Sequence, residues 1–354
     1  MRYRVLPYGG QFTGGVHVAV VDVNRDGELD LVTSPGPGTG SVIRAFDGRT
    51  GFLLADIPVF GGVFFGGVNL AAGDIDGDGW AELVASADDG GGPRVTIYSF
   101  PASGPSRIAD FFGIDDPSFR GGARTAVGDI NGDGRAEVVV AAGIGGGPRI
   151  SVYDGAALAA GRHVHPVSDF FLFEQELRNG AYVALGDLDG DGAADLVGGG
   201  GPGGGPRVLA LSGQLLLTGG PAAALGRPLG NFFAGDNRSR EGARVAVLSQ
   251  GLLGVVDVAT STVSRRVLGA DGGWTMLNGV WIGGFVSGPP AVRLPERENR
   301  APTSVPQALT LPEDTVLRAA AQVSDPDGDR VTVAVRTRPL HGDLSITPDG
   351  SITY

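Results

Sequence analysis

Acidic side chains recur in this chain at the alternating spacing of a metal loop built from oxygen ligands. Four segments read D-x-[DN]-x-D-G-x-x-[DE]. Oxygens at positions 1, 3 and 5 can turn toward one point, glycine at position 6 permits the sharp turn, and the acid at position 9 completes the shell. Numerous flexible oxygen ligands suit Ca²⁺ better than Mg²⁺, which demands octahedral geometry. The sequence therefore predicts about four calcium sites, with the ligands Asp22, Asn24, Asp26 and Asp30; Asp74, Asp76, Asp78 and Glu82; Asp129, Asn131, Asp133 and Glu137; and Asp187, Asp189, Asp191 and Asp195.

These loops are shorter than an EF-hand loop, and their flanks alternate as in strands rather than helices. A segment of this composition can also be a metal-free Asp/Gly-rich hairpin turn. Four copies at matching places favour the metal, because packed carboxylates repel one another when no cation lies between them. We therefore expect calcium to raise thermal stability and a chelator to lower it.

The acidic loops lie inside a longer repeated segment. GGVHVAVVDVNRDGELDLV at 14–32 returns in similar form at 66–84, 121–139 and 179–197. A fifth copy begins with EGARVAVL at 241–248, but Ser249, Gln250 and Gly251 replace its acidic loop. We therefore assign no metal site to the fifth copy.

Each copy continues into further segments with strand patterns. In the third unit the pattern predicts four strands, at about 123–129, 136–142, 148–153 and 167–173. No segment shows a convincing helical period. Because four short strands cannot bury their faces alone, radial stacking of the units into a β-propeller is favoured. A linear β-solenoid is the alternative, although solenoid coils are usually shorter than these units.

The fold class expected from these patterns is all-β: a propeller of four-stranded blades, with at least five units visible, plus a partial β-sandwich domain. The propeller is predicted for 1–290, with units at about 10–53, 54–108, 109–166, 167–229 and 230–290. A Pro-rich, charged linker follows at 291–306. Strand patterns resume at 307–354 and predict an incomplete Ig-like domain.

Composition argues against several classes of function. The net charge of −12, from 27 basic and 39 acidic residues, argues against nucleic acid as a partner. No apolar run approaches the length of a membrane span, so we predict no membrane insertion. The chain has no Cys and no HExxH, GxSxG or Walker A motif. His163 and His165 are interpreted as surface-loop residues. We therefore predict that the protein is not an enzyme.

The N-terminal segment MRYRVLPYGG lacks the apolar core of a signal peptide. An extracellular or cell-surface location is nevertheless expected, since weak calcium sites fill only where calcium is plentiful. We reconcile the two by expecting the chain to be a fragment of a longer protein.

The D-x-D-G-D-G loops, the GG-x-x-x-A-x-GD lead-in and the GGGPR strand resemble the FG-GAP (VCBS) repeats of the integrin α-subunit propeller and its bacterial relatives. The resemblance covers about residues 10–290, and the GGGPR form is closer to the bacterial branch. It implies a propeller with calcium at the hairpins and a role in adhesion or extracellular recognition. The segments NRAPTS, PEDT, SDPDGD and HGDLSITPDGSITY resemble bacterial cadherin-like Ig repeats.

Three functions fit the sequence. The first is a calcium-dependent adhesion or recognition module whose partner is an unidentified protein or glycan. The second is a calcium-dependent lyase or hydrolase acting on polysaccharide, which requires a non-repeated group of His, Tyr, Arg or acidic residues on the propeller. The third is a passive spacer on a surface protein. The first is favoured, because the repeated loops use 14 of the 39 acidic residues as metal ligands.

Overall fold

The computed structural model of the chain describes residues 5–234 and 236–248, followed by the segments 252–257, 262–268, 274–277, 303–304, 318–320, 323–324, 345–346 and 351–353. The chain divides into two compact units, Met1–Ala291 and Val292–Tyr354.

The described part of the first unit contains five four-stranded antiparallel sheets, here called blades 1 to 5, with the strands of each in chain order. Blade 1 contains β1 (Val16–Val21), β2 (Asp30–Pro35), β3 (Val42–Phe46) and β4 (Leu53–Pro58). Blade 2 contains β5 (Val68–Gly73), β6 (Glu82–Ala87), β7 (Arg94–Ser99) and β8 (Ser106–Phe112). Blade 3 contains β9 (Ala123–Gly128), β10 (Glu137–Ala142), β11 (Arg149–Tyr153) and β12 (Phe170–Phe171).

Blade 4 contains β13 (Ala181–Gly186), β14 (Asp195–Gly200), β15 (Arg207–Leu211) and β16 (Gly230–Phe233). Blade 5 contains β17 (Ala243–Leu248), β18 (Leu252–Asp257), β19 (Thr262–Leu268) and β20 (Trp274–Leu277). The first strand of each blade lies against the first strand of the next, so that β1, β5, β9, β13 and β17 form a continuous inner series. This arrangement confirms the predicted all-β propeller of four-stranded blades.

The hydrophobic core lies between neighbouring blades. One apolar cluster joins Ile43 of blade 1 to Leu83 of blade 2, and the next joins Ile97 of blade 2 to Val138 of blade 3. Because blades 2, 3 and 4 are covered on both faces, their second strands β6, β10 and β14 are buried at every position. Such strands read as short continuous apolar runs rather than as alternating patterns.

Glycine at the start of a blade permits a close backbone contact with the blade before it. Gly122 has a φ of +71°, and a Cβ there would lie 2.5 Å from the carbonyl carbon of Asp88 in blade 2. Its N–H donates to the carbonyl of Gly91, 3.1 Å away, which also belongs to blade 2. Only glycine satisfies both the left-handed conformation and this contact.

Two α-helices interrupt the strands of the described residues, although no segment of the sequence shows a convincing helical period. The first, α1 (Gly155–Ala159), begins where the Asp154 carboxylate accepts the Ala157 N–H at 2.6 Å. The second, α2 (Gly213–Gly226), begins where the Ser212 hydroxyl accepts the Leu215 N–H at 3.2 Å. A break at Gly220, with φ +78°, divides α2 and hides its period in the sequence.

The second unit contains two small antiparallel sheets among its described residues. One pairs β21 (Thr303–Ser304) with β23 (Val323–Ser324), and the other joins β22 (Arg318–Ala320), β25 (Ser351–Thr353) and β24 (Ser345–Ile346). The predicted linker lies largely outside the described residues. So do Ser249, Gln250 and Gly251, which stand between β17 and β18.

Candidate metal centres

Each acidic loop closes the hairpin between the first two strands of its blade. The strand register fixes both ends of the loop, because Glu82 pairs with Gly73 and Asp30 pairs with Val21 on the rung that adjoins the loop. Position 9 is therefore the first residue of the second strand, and position 1 follows the last residue of the first strand. The same register occurs in blades 3 and 4, at Glu137 and Asp195. All predicted ligands consequently lie at one end of the inner strands.

The closing acid at position 9 is buried in all four loops: Asp30 and Asp195 are 0% exposed, Glu82 1% and Glu137 2%. One oxygen of each accepts the backbone N–H of position 2, as from Ile75 to Glu82 Oε2 at 2.8 Å. The equivalent bonds are 3.0 Å to Asp30, 2.8 Å to Glu137 and 2.8 Å to Asp195. Among the described residues, none of these four acids forms an ion pair with an Arg or His.

Burial perturbs the closing acids strongly. It raises the pKa of Glu82 to about 7, that of Glu137 to about 8 and that of Asp195 to about 7, and nearby loop carboxylates add to each shift. The pKa of Asp30 is raised for the same two reasons. A carboxylate in this position is unfavourable when ionised unless a cation compensates its charge.

The loop aspartates are oriented by a repeated set of backbone hydrogen bonds. Position 1 accepts the N–H of the glycine at position 6, as from Gly79 to Asp74 at 2.9 Å. Position 3 accepts from position 5, as from the Asp78 N–H to Asp76 at 3.0 Å, and position 5 accepts from position 7, as from Trp80 to Asp78 at 2.8 Å. Equivalent bonds occur in the other three loops. The turn therefore holds three carboxylate or amide groups toward its own interior.

In two loops the carboxylates converge on one point. Oxygens of Asp74, Asp76 and Asp78 lie within 4.8 Å of one another, and so do oxygens of Asp187, Asp189 and Asp195. Burial raises the pKa of Asp76 and Asp189, with like charges nearby contributing to the shift. Hard oxygen donors gathered at this spacing can hold a divalent metal ion.

The first and third loops carry Asn at position 3. The Asn131 amide nitrogen donates to Asp133 Oδ2 at 3.2 Å and to Glu137 Oε1 at 3.1 Å, and Asn24 donates to Asp26 Oδ2 at 3.2 Å. The partly positive N–H of the amide thus points at the same carboxylates that would bind a cation. The oxygen donors and the buried acid of each loop are of the type that divalent cations bind, and Ca²⁺ is compatible with this donor set.

Neighbouring acidic loops, also called metal loops below, are joined by hydrogen bonds between backbone groups. The N–H of Ala136, one residue before the closing Glu137, donates to the carbonyl of Asp74 in blade 2 at 2.7 Å. The Ala194 N–H donates in the same way to the Asp129 carbonyl at 2.7 Å. Position 1 of one loop is therefore fixed in part by position 8 of the next, so the second, third and fourth acidic loops form a connected series.

The sequence did not predict a second backbone N–H that donates to the closing acid in two of the loops. The Gly48 N–H donates to Asp30 Oδ1 at 2.8 Å, and the Gly213 N–H donates to Asp195 Oδ1 at 3.0 Å. Both glycines follow the third strand of their blade. The available sequence signal was the D-G or S-G that follows the third strand in blades 1, 3 and 4.

A second group of chemically active side chains lies at a cavity beside blade 3. The rings of Tyr153 and His165 are 4.3 Å apart between centroids, and His165 Nδ1 lies 3.6 Å from Asp169 Oδ1. Arg149 donates to Asp169 Oδ2 through Nη2 at 2.5 Å, and His163 completes the cavity wall. The H-x-H spacing was the available sequence signal for this group, which was interpreted as surface loop.

The described residues contain no helix that is both long enough and apolar enough to cross a membrane.

Several solved structures match part of this chain. A protein from Lactobacillus plantarum matches with a TM-score of 0.47 and 16% identity over 75% of this chain and 70% of that chain. The exotype rhamnogalacturonan lyase YesX matches at 0.41 and 15%, over 68% of this chain and 53% of its own. The V. cholerae biofilm matrix protein Bap1 matches with a TM-score of 0.37 and 20% identity, over 76% of this chain and 40% of that chain. Similarities of this size identify no function for the chain.

Family models identify two kinds of segment. The model of the FG-GAP-like repeat matches residues 74–140 and 129–198, which include the second, third and fourth acidic loops. The model of the bacterial Ig domain matches residues 299–354. No curated protein matches the chain. The chain therefore contains FG-GAP-like repeats, matched over residues 74–198, followed by a bacterial Ig domain at 299–354.

Proposed function

We propose that this chain is a calcium-binding recognition module that acts outside the cell or at the cell surface, with calcium as a structural ion. The observation that carries the calcium assignment is the buried acid at position 9, which is at most 2% exposed in four loops. An ionised carboxylate in that position requires a counter-charge, and the convergent oxygens around it are ligands that calcium prefers. About four ions are expected per chain.

The location and partner follow from the domain content. FG-GAP-like repeats and bacterial Ig domains are typical of extracellular proteins, in which repeated modules present binding surfaces. We propose a protein or glycan as the partner and no catalytic activity, with neither nucleic acid binding nor membrane insertion. The net charge of −12 supports the exclusion of nucleic acid.

A glycan array probed with the calcium-loaded chain tests this function. Recognition predicts binding to a restricted set of glycans that is lost in EDTA and restored by calcium. If no glycan binds, a pull-down with surface proteins of the same source tests the protein-partner arm. Absence of binding in both assays would contradict a recognition function and favour a spacer.

One observation favours an enzyme as the second candidate. The cavity beside blade 3 adds His163 and His165 to Arg149, Tyr153 and Asp169. The latter three have counterparts in blade 2, at Arg94, Tyr98 and Asp110, whereas the two histidines do not. Such a group contains acid–base side chains and a guanidinium, the functional types that β-elimination from an acidic sugar uses. The Asp169 carboxylate is, however, occupied by Arg149 through contacts of 2.8 and 2.5 Å.

Turnover assays on the glycans that bind distinguish the two candidates. The recognition proposal predicts no release of unsaturated or reducing ends above the background of a heat-denatured sample. Turnover that disappears in His165→Ala, with calcium binding and melting temperature unchanged, would overturn it and establish the enzyme.

A further inference from the structure

The second residue of each inner strand lies at the same register in all five blades. These positions are His17, Asn69, Arg124, Tyr182 and Arg244, here called the inner ring. Each follows a glycine by two residues and precedes position 1 of its unit by five, so the ring lies roughly 16 Å along the strand from the metal loops. Blade 5, whose unit lacks an acidic loop, still contributes Arg244 to the ring.

The inner-ring side chains reach from one blade to the next. Asn69 Nδ2 donates to the carbonyl of Ala123 at 3.0 Å, and Arg124 Nη1 donates to the carbonyl of Ala181 at 3.3 Å. The Arg124 guanidinium lies 4.2 Å from the Tyr182 ring centroid, and the Arg244 guanidinium lies 4.7 Å from the same centroid. Two cations from different blades are therefore gathered at one tyrosine.

His17 joins blade 1 to this group electrostatically. Burial is the main cause that lowers its pKa, and the charges of Arg244 and Arg124 lower it further, whereas Asp88 raises it. His17 is therefore neutral beside two cations at pH 7. With one carboxylate, Asp88, and two guanidiniums, the group carries a net positive charge within a protein of net charge −12.

The charge of Arg124 is incompletely satisfied. Its side chain is 5% exposed, and its buried Nε has no hydrogen-bond partner. Among the described residues neither Arg124 nor Arg244 forms an ion pair with a carboxylate. A buried guanidinium without an anionic partner is costly, and a planar oxyanion is the partner that guanidinium donors fit best.

The inner-ring residue differs among the blades, whereas the two residues before it are similar in every blade. The residue before it is Val or Ala in every blade, and the glycine two residues before it has positive φ, as at Gly122. The ring residue itself changes from His to Asn, Arg, Tyr and Arg. The blades share one fold although four different residue types occupy this position, so the fold does not require any one of them. The side chains at this position can therefore be selected for contact with a ligand.

We propose that the inner ring is a binding site for a small oxyanion, a carboxylate or phosphate group, held by Arg124 and Arg244 at the end of the inner strands opposite the metal loops. The site does not depend on the identity of the metal. An acidic sugar and a phosphorylated ligand present the same chemistry to these two guanidiniums, and separate probes distinguish them.

Titration calorimetry of the calcium-loaded full chain tests the site, with glucuronate and inorganic phosphate as separate probes at constant ionic strength. We expect saturable binding of one probe near one equivalent. Arg244→Gln is expected to weaken that binding by about tenfold or more, since it removes a charged hydrogen-bond donor. Glucuronate binding alone identifies an acidic sugar, and phosphate binding alone identifies a phosphorylated ligand.

Arg49→Gln is the matched control, because Arg49 is exposed in blade 1 and its loss changes the net charge equally. This control is expected to bind like the wild type. Since Arg244 is exposed, its variant should fold, and an unchanged melting temperature in calcium would verify this. Absence of saturable binding of both probes, or equal weakening in Arg49→Gln and Arg244→Gln, would overturn the proposal.

Discussion

At the residue scale, the closing acids determine how the metal loops respond to their surroundings. Glu82 is buried at the start of β6, and its Oε2 already accepts the Ile75 N–H. Its remaining lone pairs face a loop rich in other carboxylates, which disfavours its ionised form. A cation reverses this penalty, so the same side chain destabilises the metal-free protein and stabilises the loaded one.

Glu82→Gln should therefore have opposite effects in the two states. In EDTA at pH 8 we expect the variant to be more stable than the wild type by about 1–3 kcal/mol, because the amide removes a buried charge and keeps the bond to Ile75. On addition of calcium, we expect the melting temperature of the variant to rise by less than that of the wild type. We also expect the variant to bind one calcium ion fewer.

Denaturant unfolding in EDTA and in calcium measures both effects, with Glu176→Gln as the matched control. Glu176 is exposed and lies outside the loops, so its variant should follow the wild type in both conditions. Equal destabilisation by Glu82→Gln in EDTA and in calcium would contradict a metal role for this acid.

The raised pKa values also predict a pH dependence. Folded Glu82 and Glu137 titrate at about 7 and about 8, above the ordinary 4.5 of the unfolded chain. Between pH 4.5 and the folded pKa of each acid, the metal-free native state thus binds more protons than the unfolded state. The contribution of these acids to the free energy of unfolding therefore falls as pH rises through this range. Calcium requires the deprotonated form, so the stabilisation by calcium should grow from pH 5 to pH 8.

Melting temperatures of dialysed, metal-free protein and of calcium-loaded protein across this range provide the measurement. Their difference cancels the titration of groups remote from the metal. A difference that stays constant or shrinks toward pH 8 would show that the closing acids do not couple to the ion.

The ligand types were readable from sequence because spacing alone orients them. Alternate residues of a tight turn face one side, and glycine marks the turn, so Asp74, Asp76 and Asp78 were recognisable without a structure. The burial of Glu82 could not be predicted from spacing, since it arises from tertiary packing. The inner ring was equally hidden, because His17 and Arg244 are far apart in sequence and approach only through the arrangement of blades.

At the element scale, glycine controls how closely blades approach. Gly122 and Gly145 both have positive φ, +71° and +82°, and both belong to blade 3. A Cβ on Gly122 would lie 2.5 Å from Asp88 backbone atoms, whereas a Cβ on Gly145 would meet nothing within 4 Å. The two positions therefore separate the cost of backbone strain from the cost of a steric clash between blades.

Gly145→Ala should lower the free energy of unfolding by about 1 kcal/mol, the cost of a left-handed alanine. Gly122→Ala should lower it by about 3 kcal/mol or more, because blade 3 must also move away from blade 2. Urea unfolding in calcium compares the two. Equal losses would mean that the contact between the blades is not tight.

Strand positions were largely predictable, and the helices were not. The expected strands of the third unit fall within three residues of β9, β10 and β11, since turn glycines and apolar runs mark them. The fourth was predicted at 167–173 but is reduced to β12, because the chain there pairs only at Arg149 and Ile150. Helix α2 lacks a clear period, as Gly220 divides it.

At the scale of the whole molecule, the metal loops and the inner strands form two different kinds of connection between blades. Loop-to-loop bonds such as that of Ala136 to the Asp74 carbonyl join blades at one end of the strands. The inner ring joins them at the other end, through Asn69 and Arg124. Because blade 5 has no acidic loop in its sequence, calcium should stabilise blades 1 to 4 directly and blade 5 only through its neighbour.

Calcium binding to the full chain, measured by elemental analysis after gel filtration and by calorimetric titration, tests the central claim most directly. We predict about four ions bound per chain, about three in Glu82→Gln, and a melting temperature that EDTA lowers and calcium restores. Protein that binds no calcium at millimolar concentration, and that melts at the same temperature in EDTA and in calcium, would contradict the account.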